Sequence, residues 1–180
     1  MNLFERLRHR TATVGVIGLG YACPERSRRV GLPLAVEFAR AGFPTIGIDI
    51  DGERFQQIQA SQSYIPDVSD DAVAPLVRSG RLTATTDYSL LKEVDTVSIC
   101  VPTPLGKTKD PDNSYILAAA DGAAAYAHRD QLIVLESTTY PGTTEEILLP
   151  KLITNGFVGE DLYVAYSPER IDPGKLRRVI

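Results

Sequence analysis

The chain has 180 residues, a formal net charge of −4, 43% apolar residues and 23% charged residues. That balance is globular rather than disordered, it argues against a basic nucleic-acid binder, and it holds no apolar run of the roughly 20 residues that a membrane span needs. Two cysteines exclude a disulfide scaffold, and Met1–Arg10 lacks the apolar core of a signal peptide, so one soluble, cytoplasmic domain over residues 1–180 is expected.

Thr13–Gly18 is a short apolar run ending in glycine, as a buried parallel strand would. Leu34–Ala41 has helical spacing, and Gly42 suits the position after a helix end. Thr45–Asp49 reads as a second strand and Glu53–Ala60 as a helix. Ser61–Arg81 is the least regular stretch, with Pro66 and Pro75 breaking it. Leu82–Thr85 is a third strand, and Thr96–Val101 is a fourth, bounded by Pro102. Tyr115–Ala127 is alanine-rich and helical. Leu132–Glu136 is a fifth strand. Thr144–Leu152 is a helix with Glu145 and Glu146 in its first turn, where the helix dipole favours acids. Leu162–Tyr166 is a sixth strand. Strands alternating with helices predict an α/β fold: a Rossmann-like, doubly wound parallel sheet of about six strands in a single domain.

The first strand runs into Gly18-Leu19-Gly20-Tyr21. In a dinucleotide fold the first glycine makes a tight turn and the second admits a pyrophosphate. A third, three residues later, lets helix and strand pack closely. Position 23 is Cys23, so the strict pattern is absent. Without Ala22–Arg29 (ACPERSRR) the chain would read GLGYVGLPLA, with Gly31 in third place. The spacing therefore reads as an insertion at 22–29 within the glycine-rich turn. A helix running through from Pro24 would carry Pro33 inside it, at a cost of about 3 kcal/mol. The helix is expected to begin near Gly31, with the insertion as a basic loop that weakens cofactor binding. Asp49 lies about 18 residues beyond Gly31, near the separation expected of an acid that binds an adenosine ribose. A carboxylate there accepts ribose hydroxyls and repels a 2′-phosphate, which favours NAD over NADP. Asp51 suits a helix N-cap better. Two glycines alone are equally compatible with a plain turn.

Three later motifs fall at strand ends, where ligands bind in such sheets. Cys100-Val-Pro-Thr-Pro104 forces an extended exit and offers the Thr103 hydroxyl, or is simply a rigid turn. Glu136-Ser-Thr-Thr-Tyr-Pro-Gly-Thr-Thr144 offers several hydroxyls, of which Thr143 or Thr144 suits a helix cap. Ser167-Pro-Glu-Arg-Ile-Asp-Pro-Gly174 places Glu169 and Arg170 just past the last strand, as an acid and an anion-binding base or as a solvated pair. Cys100 reads as core, His9 and His128 as surface residues, and no cysteine–histidine spacing suits a metal.

Together these runs resemble the N-terminal NAD-binding domain of the UDP-glucose/GDP-mannose dehydrogenase family over nearly the whole chain. SPER followed by DPG resembles the branch acting on UDP-N-acetylhexosamines. Pro173, where UDP-glucose enzymes carry a second glutamate, points the same way. The resemblance implies oxidation of a sugar C6 alcohol to the uronate with two NAD, for surface polysaccharide biosynthesis, by a cytoplasmic homo-oligomer. It implies cofactor contacts at Gly18, Gly20, Tyr21, Gly31, Asp49, Thr103 and Thr138. Thr138 and Glu169 are the implied catalytic residues, and Glu169 and Arg170 the implied UDP-sugar contacts. The family's nucleophilic cysteine, lysine and asparagine have no counterpart before Ile180, so residues 1–180 are expected to be inactive alone. The alternatives are a non-catalytic nucleotide-binding module, the product of an interrupted gene, or a related β-hydroxyacid dehydrogenase, against which VPTP and SPER speak.

Overall fold

The computed structural model describes residues 1–20, 30–104, 112–153 and 162–168. Six parallel strands form one sheet: β1 (Val14–Ile17), β2 (Thr45–Ile48), β3 (Leu82–Thr85), β4 (Thr96–Ile99), β5 (Gln131–Leu135) and β6 (Leu162–Tyr166). Their order is β3-β2-β1-β4-β5-β6. The chain therefore winds outward from β1 in one direction and from β4 in the other. β1 and β4 are buried along their whole length, which is why they read as unbroken apolar runs rather than alternating ones.

The helices are α1 (Leu3–Arg8), α2 (Gly31–Arg40), α3 (Gly52–Gln59), α4 (Asp70–Arg78), α5 (Ser114–Ala124) and α6 (Leu149–Ile153). One core gathers Leu32, Val36 and Ala39 of α2 with Val14, Val16 and Leu82. The other gathers Ile116, Ala120 and Ala123 of α5 with Ile99, Ile133 and Leu135. Burial of these side chains at about 25 cal/mol per Å² is what holds short helices to the sheet. α2 does begin at Gly31, which leaves Pro33 in its first turn, where proline is tolerated.

Several expectations are corrected. Ser61–Arg81 is not broken throughout, because Asp70–Arg78 is a helix with Pro75 inside it. Val73 is fully buried and Leu76 and Val77 pack beside it, while Asp70, Asp71 and Arg78 suit the two dipole ends. That burial outweighs the hydrogen bond lost at Pro75. Two elements lie outside the reading altogether: α1, capped reciprocally by Asn2 and Glu5, and a 3₁₀ turn over Tyr88–Glu93 capped by Asp87. The helix expected over Thr144–Leu152 is wound as a π-helix over Thr143–Leu148 before α6. Its N-cap is Gly142, and the Thr143 hydroxyl instead donates to the Tyr140 carbonyl. His9 is exposed as expected, but His128 is part-buried, with Nε2 2.9 Å from the Val94 carbonyl.

Candidate functional site

β1 and β4 lie side by side at the point where the winding changes direction, and ligands bind at the carboxyl ends of the strands at such a point. β1 ends in Gly18, whose φ of +88° is strained for any residue with a side chain. A Cβ at Gly18 would also strike the Cys100 carbonyl where β4 leaves the sheet. A Cβ at Gly31 would strike the Gly18 carbonyl, so the start of α2 lies directly against the turn. Among the described residues no side chain caps α2, whose N-cap is Val30. Gly18, Gly20 and Gly31 thus come together, while Tyr21 and residues 22–29, expected to be an insertion, lie outside the described residues.

The turn is held from three directions. The Asp49 carboxylate, 4% exposed at the end of β2, accepts the Leu19 N–H at 2.8 Å and the Gly20 N–H at 3.1 Å. The Tyr64 hydroxyl donates to the Leu19 carbonyl at 3.2 Å. The Leu19 side chain fills the space left by Gly47 on β2. Asp49 also accepts the Asp51 N–H at 3.0 Å, and Arg54 Nη1 reaches both carboxylate oxygens, at 3.3 and 3.2 Å. Arg54 Nε pairs with Asp51 at 3.2 Å, and its guanidinium lies over Gly20, in space that a Cβ there would need. Asp51 is the N-cap of α3, as its position suggested.

A cavity of about 350 Å³ opens beside this cluster, lined by Asp49, Arg54, Ile50, Tyr88, Pro102 and Tyr115 among others. Burial, and then the nearby Asp49 charge, hold the Tyr88 phenol above its usual ionisation range.

On the β4–β5 side the groups that join the two strand exits are neutral hydroxyls. The Ser137 hydroxyl, 1% exposed, accepts the Val101 N–H at 2.9 Å and lies 2.8 Å from the Val101 carbonyl. The Thr103 hydroxyl donates to the Thr138 carbonyl at 2.7 Å. These three bonds tie the exits of β4 and β5 together and bring Thr103 and Thr138 side by side, with Thr138 exposed. Cys100 is buried, as expected of core. Glu169 and Arg170 lie outside the described residues.

Sequence reasoning missed Arg54, Tyr64, Tyr88, Tyr115 and Ser137. A signal existed for Ser137, because it extends the alternate burial of Gln131, Ile133 and Leu135 by one more step. Arg54 carried a weaker one, three residues after Asp51 on the same helix face.

Comparison with known proteins agrees with this geometry. Residues 12–178 match the family model described as "UDP-glucose/GDP-mannose dehydrogenase family, NAD binding domain". The UDP-N-acetyl-D-mannosamine dehydrogenase of Pyrococcus horikoshii is 36% identical over 166 residues, which is 91% of this chain and 37% of the relative. The UDP-N-acetyl-D-glucosamine 6-dehydrogenase of Salmonella typhi is 35% identical, over 89% of this chain and 36% of the relative. The crystal structure of an NDP-N-acetyl-D-galactosaminuronic acid dehydrogenase from Methanosarcina mazei Go1 superposes with a TM-score of 0.79 at 29% identity, over 95% of this chain and 38% of that one. The chain thus spans a little over a third of these relatives' length.

Proposed function

The chain belongs to the UDP-glucose/GDP-mannose dehydrogenase family, as its NAD-binding domain, and from that membership we propose roles for individual residues and a substrate. NAD is the cofactor of this domain, and the residues present fit it. The left-handed turn at Gly18 and the bare approach of Gly31 make the cradle that a pyrophosphate needs, with the start of α2, which no side chain among the described residues caps, beside it.

The proposed ribose acceptor is Asp49. The observation that carries this reading is a carboxylate at the end of β2 that also holds two N–H groups of the glycine-rich turn. A carboxylate offers about four acceptor positions. Backbone N–H groups take three of them, so a ribose hydroxyl would displace Arg54 Nη1 from one oxygen. The negative charge disfavours a 2′-phosphate, hence NAD rather than NADP. Gly18, Gly20, Tyr21 and Gly31 are the proposed pyrophosphate contacts, and Thr103 and Thr138 frame the far end of the cofactor. Bound there, NAD accepts hydride from the carbon being oxidised. Thr138 offers an exposed hydroxyl beside that end, and Glu169 and Arg170 are the proposed acid and substrate contact.

The proposed reaction of the whole protein is oxidation of a UDP-N-acetylhexosamine at C6. Four electrons leave the alcohol, two NAD take them, water supplies the second oxygen, and the product is the uronate. The names of the Pyrococcus and Salmonella relatives support that sugar class. We also propose that residues 1–180 alone do not turn over, consistent with their share of the relatives' length. A homo-oligomer in the cytoplasm is proposed for the whole protein. Among the described residues no helix is long and apolar enough to cross a membrane.

Calorimetric titration with NAD tests the site. The chain should bind NAD, and a variant lacking residues 22–29 should bind it more tightly. Equal affinities would remove any role for the insertion, and no binding by either would overturn the reading. NADH formation from UDP-N-acetylglucosamine by the chain alone would refute the proposed lack of turnover.

A further inference from the structure

Residues 60–69 carry the chain from α3 to α4 outside any helix or strand, yet they are held at many points. The Ser61 and Gln62 N–H groups bond back to the Ile58 and Gln57 carbonyls of α3. The Ser63 N–H donates to the Asp70 carboxylate at 2.6 Å, and the Ile65 N–H to Ser63 Oγ at 3.2 Å. Ile65 and Val68 are buried in the same core as α2. A strap held in this way fixes where its side chains point, and one of them reaches far along the sequence. Tyr64 packs its ring against that core, and its hydroxyl donates to the Leu19 carbonyl in the glycine-rich turn at 3.2 Å.

That bond completes a grip on one peptide plane. The Leu19 C=O and the Gly20 N–H belong to the same trans peptide and point in opposite directions. Tyr64 holds the carbonyl end from the strap, and Asp49 holds the N–H end from β2 at 3.1 Å. Asp49 also takes the Leu19 N–H at 2.8 Å, so it fixes the donors of two successive peptides while Tyr64 opposes it on the acceptor side. Rotating the plane breaks the bonds at both ends together. The two holds differ in what else they do. Asp49 also serves Asp51 and Arg54 and lines the cavity. Tyr64 does not line that cavity, so it reaches a ligand there through the turn.

We propose that Tyr64 is a positioning residue, which holds the peptide between Leu19 and Gly20 in the orientation that a pyrophosphate meets and couples the strap over 60–69 to occupancy of the site. The proposal rests on the reading of this turn as the pyrophosphate cradle, and it adds a demand of its own. A bond that orders the turn before the cofactor arrives raises affinity, because less ordering remains to be done on binding. Such coupling is reciprocal, so a cofactor that orders the turn also steadies the strap through Tyr64.

Tyr64→Phe keeps the ring in the core and removes the hydroxyl. Calorimetry on the full chain should show NAD bound about fivefold more weakly by the variant, within the range for one hydrogen bond between neutral groups. The melting temperature confirms that the fold is retained. Amide hydrogen exchange supplies a readout that a purely structural role would not move. In the parent, saturating NAD should slow exchange of the Ser63 and Ile65 amides more than that of Thr13, whose N–H is bonded at the opposite edge and reports wider opening. In Tyr64→Phe, at equal occupancy, that excess protection of the strap should be lost. A variant that binds NAD within about twofold of the parent, or a strap protected equally in both, would overturn the positioning role while leaving the NAD site standing. Failure of the parent chain to bind NAD would instead remove the cradle reading, and the role of Tyr64 with it.

Discussion

The two edges of the sheet are built from different materials. At the carboxyl edge backbone meets backbone at Gly18 and Gly31, the Arg54 guanidinium lies over Gly20, and Asp49 ties the turn to β2. At the amino edge the contacts are made by side chains. Arg6 of α1 pairs with Asp95 at 3.0 Å and with Asp130 at 3.1 Å, and Asp95 also accepts the Thr13 N–H at 2.7 Å. Gln131, 1% exposed, donates to the Leu91 and Val94 carbonyls. Side chains at the amino edge bond to one another and to backbone carbonyls and fix where β1, β4 and β5 begin, although the buried Thr96 hydroxyl and Gln131 Oε1 find no hydrogen-bond partner among the described residues. The carboxyl edge keeps exposed surface at Ile50, Tyr115 and Thr138. A protein can stabilise one edge with ion pairs and side-chain hydrogen bonds and keep the other open for a ligand, and substitutions at the two edges should separate accordingly.

The largest expected effect is at Gly31. A methyl group there meets the Gly18 carbonyl, a backbone atom that cannot move aside without shifting β1 or α2. Gly31→Ala should cost about 3 kcal/mol of stability, the upper range for overpacking. It should also abolish detectable NAD binding, as urea denaturation and calorimetry would show. Retained affinity would mean that the close approach of α2 to the turn is unimportant.

Asp49→Asn and Asp95→Ala form a matched pair. Asp49→Asn removes the charge behind several hydrogen bonds, and NAD affinity should fall about tenfold to a hundredfold, the range for bonds to charged groups. Asp95→Ala leaves the part-buried Thr13 N–H without its acceptor and Arg6 with one partner fewer. It should cost about 2 kcal/mol of stability and leave NAD affinity unchanged. If Asp95→Ala weakened NAD binding as strongly as Asp49→Asn does, the two edges would be coupled and the division between them would fail.

The same division governs what could be read from sequence. The strands were legible because buried parallel strands are unbroken apolar runs, and Asp49 was legible because it closes one of them at a set distance from Gly31. The amino edge was not. Arg6 finds Asp95 and Asp130 only after the sheet has formed, and nothing local marks residues so far apart as partners. Arg54 failed for a related reason: its position over Gly20 depends on where α3 starts relative to the turn. Pro75 misled because a local penalty was weighed without the tertiary burial of Val73.

The smallest expected effect lies at Tyr88, which lines the cavity and fits against Gly122. Burial and then the Asp49 charge raise its phenol above the usual value of 10.0. The sign follows from proton counting. Above pH 10 the unfolded chain has released this proton while the folded chain still holds it, so stability falls as pH rises from about 10 toward the folded value. Below pH 10 both states hold the proton and the group contributes no pH dependence. Tyr88→Phe removes this titration but keeps the ring against Gly122. Between pH 8 and pH 11 the melting temperature of the parent should therefore fall further than that of Tyr88→Phe. Equal falls would mean that Tyr88 titrates freely, and that the cavity is more open to water at this wall than at Asp49.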